Sequence, residues 1–183
     1  MEWKDYEKFY QDLADKKIDW LRSELSKIRS GRATPHMLDG IKAEYYDEMT
    51  PLNQMAQIQI PEPREIVIKP YEASCIPAIQ TALNKSEMHL NPQVDGDKIR
   101  IRLPQLTEEN RKEYVKQAKQ LGEKAKQEIR LVRRDTLQKI KQNKHDDEDF
   151  VRFLEDEVEK ITKKYNADLE QIVSAKEKEL TTL

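Results

Sequence analysis

All eight prolines of this 183-residue chain lie between Pro35 and Pro104. Proline removes a backbone donor and its ring clashes with the preceding helical turn, so it is excluded from helix interiors. Residues 1–34 and 105–183 carry none. Both stretches are therefore free to form long helices, and the chain reads as a helix, an irregular insert and two further helices.

Hydrophobic spacing agrees with that division. Tyr10, Ala14, Ile18, Leu21, Leu25 and Ile28 recur every three or four residues and predict a helix over 3–29. A second helix is predicted from Thr107, a good N-cap followed by Glu108 and Glu109, which suit the positive end of the helix dipole. Its stripe is Val115, Ala118, Gly122, Ala125, Ile129, Val132, Thr136 and Ile140. The small residues in it allow close neighbours. After a break at 143–147, Val151, Leu154, Val158, Ile161, Tyr165, Leu169, Ile172 and Leu180 mark a third helix. A single stripe cannot be buried alone, so the three predict an elongated three-helix bundle built from residues 1–30 and 105–183. Because the three stripes can satisfy one another, a monomer is expected.

The insert, residues 31–104, has a different grammar. Alternating residues at 41–45, 56–60 and 99–103 predict half-buried strands, and Ile66-Val67-Ile68 a more buried one. Residues 74–84 predict a short helix capped by Ser74, and Asp95-Gly96 a hairpin turn. Pro61-Glu62-Pro63-Arg64 reads as a turn between strands. The fold class expected is mainly α with a small inserted α+β domain. Two crossings join the parts, at Ser30-Gly31 and at Pro104-Gln105, and they are candidate hinge residues.

Composition excludes several classes. Apolar and charged residues each make up 37%, and no apolar run approaches the roughly 18 residues a membrane span needs. A single cysteine, Cys75, rules out a disulfide scaffold and reads as a small, partly buried residue at a helix start. The N-terminus lacks the pattern of a signal or transit peptide, so a cytoplasmic location is expected. Catalytic signatures are missing: there is no phosphate-binding glycine loop, no H-E-x-x-H and no C-x-x-C. His36, His89 and His145 lie in separate segments. Asp146-Asp147-Glu148-Asp149 lacks the glycine and spacing of a calcium loop and reads as the cap of the third helix. No metal, no cofactor and no enzymatic activity are expected.

The charge distribution is more informative than its net value of -2. Residues 111–144 hold twelve basic and four acidic side chains, and residues 145–160 hold two and eight. On the second helix Lys112, Lys119, Lys126, Arg130 and Arg133 share a sector of about 60°, a quarter turn from the apolar stripe, and are expected to be exposed. Arg134 follows directly. Guanidinium groups pair bidentately with phosphate, so such a ladder suits an RNA backbone. The plainer reading is a solvated face laced with ion pairs. Arg29 and Arg32 form a second cluster in Arg29-Ser30-Gly31-Arg32-Ala33-Thr34-Pro35, which is also what a helix C-terminus favours.

Seven segments, taken together and in order, resemble the ribosome recycling factor family. They are residues 28–35, 44–46 with 50–54, 60–64, 95–100, 106–112, 129–135 and 176–180. The resemblance implies an L-shaped molecule, a three-helix bundle with a hinged α+β domain. It implies action with elongation factor G and GTP on the post-termination ribosome, splitting it so that mRNA and tRNA leave. It also implies docking on rRNA of the large ribosomal subunit through Arg29, Arg32, Arg130 and Arg133, with Lys126 and Arg134 as neighbours. The chain departs from the family pattern at Asp47 and His89, where glycines are usual, at Tyr71 for tryptophan, at Val94 for asparagine and at Asn110 for arginine. The competing expectation is a coiled-coil-like adaptor that binds proteins and has no ribosome selectivity.

Overall fold

The computed structural model describes residues 1–86 and 88–182. The chain divides into two compact units, Met1–Ser30 with Thr107–Leu183, and Gly31–Leu106.

The first unit consists of helices α1 (Trp3–Ser26), α4 (Glu108–Gln142) and α5 (Glu148–Thr181). The predicted stripes are its core. Tyr10, Ala14, Leu21 and Leu25 of α1 pack with Ala118, Gly122, Ala125, Ile129, Val132, Thr136 and Ile140 of α4, and with Leu154, Val158, Ile161, Tyr165 and Leu169 of α5. Tyr6 extends the α1 stripe by one turn and is fully buried. Ile18, Val115, Val151 and Ile172 are only half-buried at the stripe margins.

Capping explains where the helices start. Thr107 Oγ1 accepts from the Asn110 amide at 3.1 Å. Asp147 Oδ1 accepts from the amides of Asp149 and Phe150, so the acidic run caps α5 as expected. Helix α1 ends at Ser26, three residues short of its predicted end, because its last turn tightens. The amides of Lys27 and Ile28 donate to the carbonyls of Glu24 and Leu25, three residues back. Ile28 remains buried beyond the helix end.

Small residues set the approach of α4 to α5. A Cβ on Gly122 would lie 2.8 Å from Val173 Cγ2. Two inter-helix hydrogen bonds add register: Tyr10 Oη donates to Thr162 Oγ1 at 2.9 Å, and Tyr165 Oη to Asp15 Oδ1 at 2.6 Å. Burial first, and then the Asp15 bond, push the Tyr165 phenol well above its ordinary pKa.

The second unit holds a two-stranded and a four-stranded antiparallel sheet. Strands β1 (Lys42–Tyr45) and β2 (Glu48–Pro51) form the first. Strands β3 (Ala56–Glu62), β4 (Glu65–Pro70), β5 (Gln93–Asp95) and β6 (Lys98–Arg102) form the second, in the order β3-β4-β6-β5. A one-turn helix α2 (Leu52–Met55) and helix α3 (Ile76–Lys85) complete the unit. Its core is made by Ile66 and Ile68 of β4, Ile99 and Ile101 of β6, Ile79 and Leu83 of α3, and Leu38, Leu52 and Leu90. Buried Glu65 is held by Arg100 Nη1 at 2.6 Å.

Two local expectations change. Ser74 does not cap α3. A cap there would engage the amide of residue 76 or 77; that of Ile76 donates to the Ala73 carbonyl, and Pro77 has none. The chain instead makes a short 3-10 turn over Ala73–Cys75 and enters the helix at Ile76, with buried Cys75 at its start. The turn expected at 61–64 is confined to Pro63-Arg64. Pro61 lies within edge strand β3, where the register to β4 shifts by one residue, a position that tolerates proline. Strand β2 and helix α2 carried no sequence signal. Strands β1 and β2 are joined through Tyr46 and Asp47, both with left-handed backbone (φ 49° and 62°). That is the two-residue hairpin geometry usually served by Asn-Gly.

Candidate nucleic-acid interface

Helix α4 is 35 residues long, and its polar faces hold more basic side chains than either of the other two helices of the first unit. At about 1.5 Å of rise per residue it is a rod of roughly 50 Å, stiff because α1 and α5 pack along it. Side chains on such a rod keep fixed spacings, which is what recognition of a folded RNA by shape requires.

The basic sector is less uniform than helical geometry predicts. Lys112, Lys119 and Arg130 are exposed, as expected. Lys126 and Arg133 are not fully so, because α5 lies along that edge and its carboxylates reach across. Lys126 Nζ lies 3.3 Å from Glu170 Oε1 and 3.7 Å from Glu123 Oε1. Arg133 Nε donates to Glu159 Oε1 at 2.7 Å, and Nη2 bonds to the same oxygen. Arg134 is exposed and pairs with its neighbour Asp135 at 3.1 Å. The plainer reading accounts for much of this face but not for all of it. It is laced with ion pairs, yet Arg130 stays outside them: no ion pair joins it to any described residue.

The opposite edge of α4 is tied to α1. Lys17 pairs with Glu128 at 2.8 Å. Lys124 Nζ lies 5.4 Å from the centroid of the Trp20 ring, and Lys139 Nζ lies 4.1 Å from that of Phe9. These contacts draw two of the helix's lysines onto aromatic faces.

The two arginines of the second cluster fall in different units. Arg29 belongs to the helical unit and Arg32 to the insert. Arg29 is exposed and lines a cavity of about 660 Å³ with Lys27, Tyr114, Gln117, Leu121 and Lys124. That cavity lies near residue 117 of α4, so Arg29 and Arg130 are separated by roughly 20 Å along the rod. A second open cavity of about 710 Å³ runs along α4 itself, between Lys112, Lys116, Lys119 and Lys124.

The candidate hinge residues have defined geometry. Ser30 Oγ donates to Glu179 Oε1 at 2.7 Å. Gly31 has φ +77°, and a Cβ there would lie 3.4 Å from Leu106 Cγ. Pro104 and Gln105 lie in the irregular segment between β6 and α4.

The partners missed at the sequence level are Glu159 and Glu170. They are eleven residues apart, three helical turns, and so share one face of α5. That spacing matches the seven residues, two turns, between Lys126 and Arg133 only loosely. The pairing becomes visible once the antiparallel register of α4 and α5 is known. Among the described residues, no group of three or more His, Cys, Asp or Glu is placed to hold a metal, and no helix is long and apolar enough to cross a membrane.

A three-helix unit interrupted in sequence by an α+β unit, with a cationic face along its longest helix, defines the class of fold. Comparison with known proteins makes this specific. The family model for ribosome recycling factor matches residues 21–181. The ribosome-recycling factor of Mycoplasmoides gallisepticum is 56% identical over the whole of both chains. That of Mycoplasma pneumoniae is 49% identical over 96% of each. A solution structure of ribosome recycling factor superposes with a TM-score of 0.79 at 33% identity, covering 100% of this chain and 99% of that one. The chain belongs to the ribosome recycling factor family. A further similar structure is that of the T. thermophilus ribosome recycling factor and the E. coli elongation factor G bound to the E. coli post-termination complex (TM-score 0.64, 35% identity, 98% and 99% coverage).

Proposed function

We propose that this chain acts with elongation factor G and GTP on the post-termination ribosome, separating its subunits so that mRNA and tRNA are released. The full-length identity to named recycling factors carries that reading. The T. thermophilus relative seen with elongation factor G on a post-termination complex supports the choice of partners. In our reading the helical unit docks on rRNA of the large subunit. Arg130 and Arg133 make phosphate contacts near one end of α4, Arg29 makes them near the other, and Lys126 and Arg134 add positive potential. Arg32 contributes from the insert. Phosphate contacts of this kind are strong, salt-dependent and largely indifferent to sequence. The fixed shape of the RNA supplies selectivity.

We also propose that the insert turns about Ser30-Gly31 and Pro104-Gln105 when elongation factor G engages it. Gly31 supports this, because its left-handed backbone leaves a side-chain-free turn at the unit boundary. A stiff rod transmits such a push to the RNA beneath it without bending.

The test is co-sedimentation with isolated large and small ribosomal subunits across a salt series. Selective binding to the large subunit is expected, weakening steeply with salt. An Arg130→Ala/Arg133→Ala double variant should lose roughly 2–5 kcal/mol of affinity, the range for two charge-assisted bonds. Equal binding of both subunits, insensitive to that double change, would refute the docking site and favour a protein-binding adaptor.

A further inference from the structure

Within the docking reading, α4 offers two arginines one turn apart that differ in their surroundings. Arg130 is exposed and unpaired with any described residue. Arg133 is held by α5: its Nε and Nη2 both bond to Oε1 of Glu159. These two nitrogens form one of the guanidinium's two bidentate edges. No described residue accepts a hydrogen bond from Nη1, so the other edge, formed by Nη1 and the second proton of Nη2, remains open. An arginine left to itself loses much rotamer freedom when it binds a phosphate. One already pinned through Nε loses less.

We propose that Glu159 is a positioning residue, which pins the Nε edge of Arg133 and turns its Nη1 edge outward as a preformed clamp for a phosphate of the docked RNA. This rests on the docking reading above and adds a residue from a different helix to it. The arrangement beneath the pair supports a fixed geometry. Tyr10 is fully buried, donates to Thr162, and lies close enough for both Arg133 and Glu159 to act on it electrostatically. The pair thus sits over a packed layer contributed by α1 and α5, not on a frayed surface. Glu170 holds Lys126 two turns away on the same edge of α4. It makes a single contact to a point charge, which fixes a position but no orientation.

The carboxylate also carries a cost, since it places a negative charge beside an incoming phosphate. Positioning and repulsion predict opposite signs for its removal, which makes the proposal decidable. Affinity for isolated large subunits would be measured at one ionic strength for the unaltered chain and for Glu159→Ala, Glu159→Gln, Arg133→Ala and the Arg133→Ala/Glu159→Ala double variant. In the free proteins the Nε–H resonance of Arg133 would be followed by NMR, with circular dichroism as the check on folding.

Positioning predicts that Glu159→Ala weakens binding by roughly 2- to 10-fold, the range expected when one side chain must be immobilised afresh. In the Arg133→Ala background the same change should do nothing. The Nε proton of Arg133 should exchange slowly in the unaltered chain and quickly in Glu159→Ala. Glu159→Gln, which keeps an acceptor oxygen, should fall between. Tighter binding by Glu159→Ala would mean that the carboxylate only offsets charge, and would overturn the proposal. So would an equal loss in both backgrounds, which would show a general structural effect. If Arg133→Ala weakens binding and Glu159→Ala does not, positioning fails while docking stands. If Arg133→Ala binds as the unaltered chain does, docking through Arg133 fails, and positioning fails with it.

Discussion

The two units reach order by different means. The helical unit repeats one contact many times: an apolar residue every three or four positions, over three helices, with tyrosine–threonine and tyrosine–aspartate bonds setting register. The insert has short strands and several single-position dependencies. Tyr46, Asp47, His89 and Asn91 all hold left-handed backbone without being glycine. At Asp47 and His89 the chain carries strain that a glycine would relieve. Tyr45 and Tyr46 both donate to the Glu72 carboxylate, which ties the strained hairpin down. Those bonds to Glu72 are the first cause of a Tyr45 pKa pushed up to about 12. The lesson is that a periodic unit spreads its stability along its length, whereas a compact α+β unit concentrates it at a few turns and contacts.

Alkaline titration should test that contrast most severely. Tyr10 and Tyr165 in the bundle, and Tyr45 and Tyr46 in the insert, all have raised phenol pKa values in the folded state. A raised value means the folded protein keeps protons that the unfolded chain has released. Their contribution to stability is therefore complete below pH ~10 and is lost as pH rises above it. Tyrosinate absorbance and helical ellipticity, followed together, should show the Tyr165 and Tyr10 signals arriving only with loss of helix. Their appearance while the helix signal is intact would contradict the account of the bundle core.

Next in size is Ile129→Ala, which empties a fully buried position of α4. It should cost about 2–5 kcal/mol in denaturant unfolding. A loss below ~1 kcal/mol would mean the bundle can collapse around a missing side chain, and its stability is even more distributed than the packing indicates.

Gly122→Ala sharpens the point. Alanine favours a helix by ~1 kcal/mol over glycine, but crowding against half-buried Val173 should cost ~1–3 kcal/mol. A net loss of about 1 kcal/mol is expected. A net gain in thermal stability would show that α4 and α5 can separate at no cost.

The smallest effect belongs to the insert. Asp47→Gly should stabilise by about 0.5–1 kcal/mol, because glycine adopts the φ of 62° without strain. A destabilised hairpin would mean that Asp47 makes a contact worth more than its backbone costs.

Much of this architecture was legible in the order of residues. The proline-free stretches, the two stripes of α4 and α5, and their caps at Thr107 and Asp147 depend on neighbours within one helical turn, and local spacing reports them directly. The β5–β6 hairpin is local in the same sense, although its turn residues are Gly96-Asp97, one position beyond the predicted pair. Strand β2, helix α2 and the entry to α3 were not legible. The β1–β2 turn uses Tyr46-Asp47 in place of a recognisable turn pair, and Pro77 displaced the cap to Cys75.

The candidate site divides the same way. The sequence alone determined that a cationic face runs along one helix, because a period of 3.6 residues sorts side chains into sectors whatever surrounds them. Only tertiary structure decided which of those cations are tied and which are open. Glu159 and Glu170 are distant in sequence from Arg133 and Lys126, and only the antiparallel packing of α5 on α4 brings them together. Periodicity is a property of one helix, but ion pairing depends on the register between two.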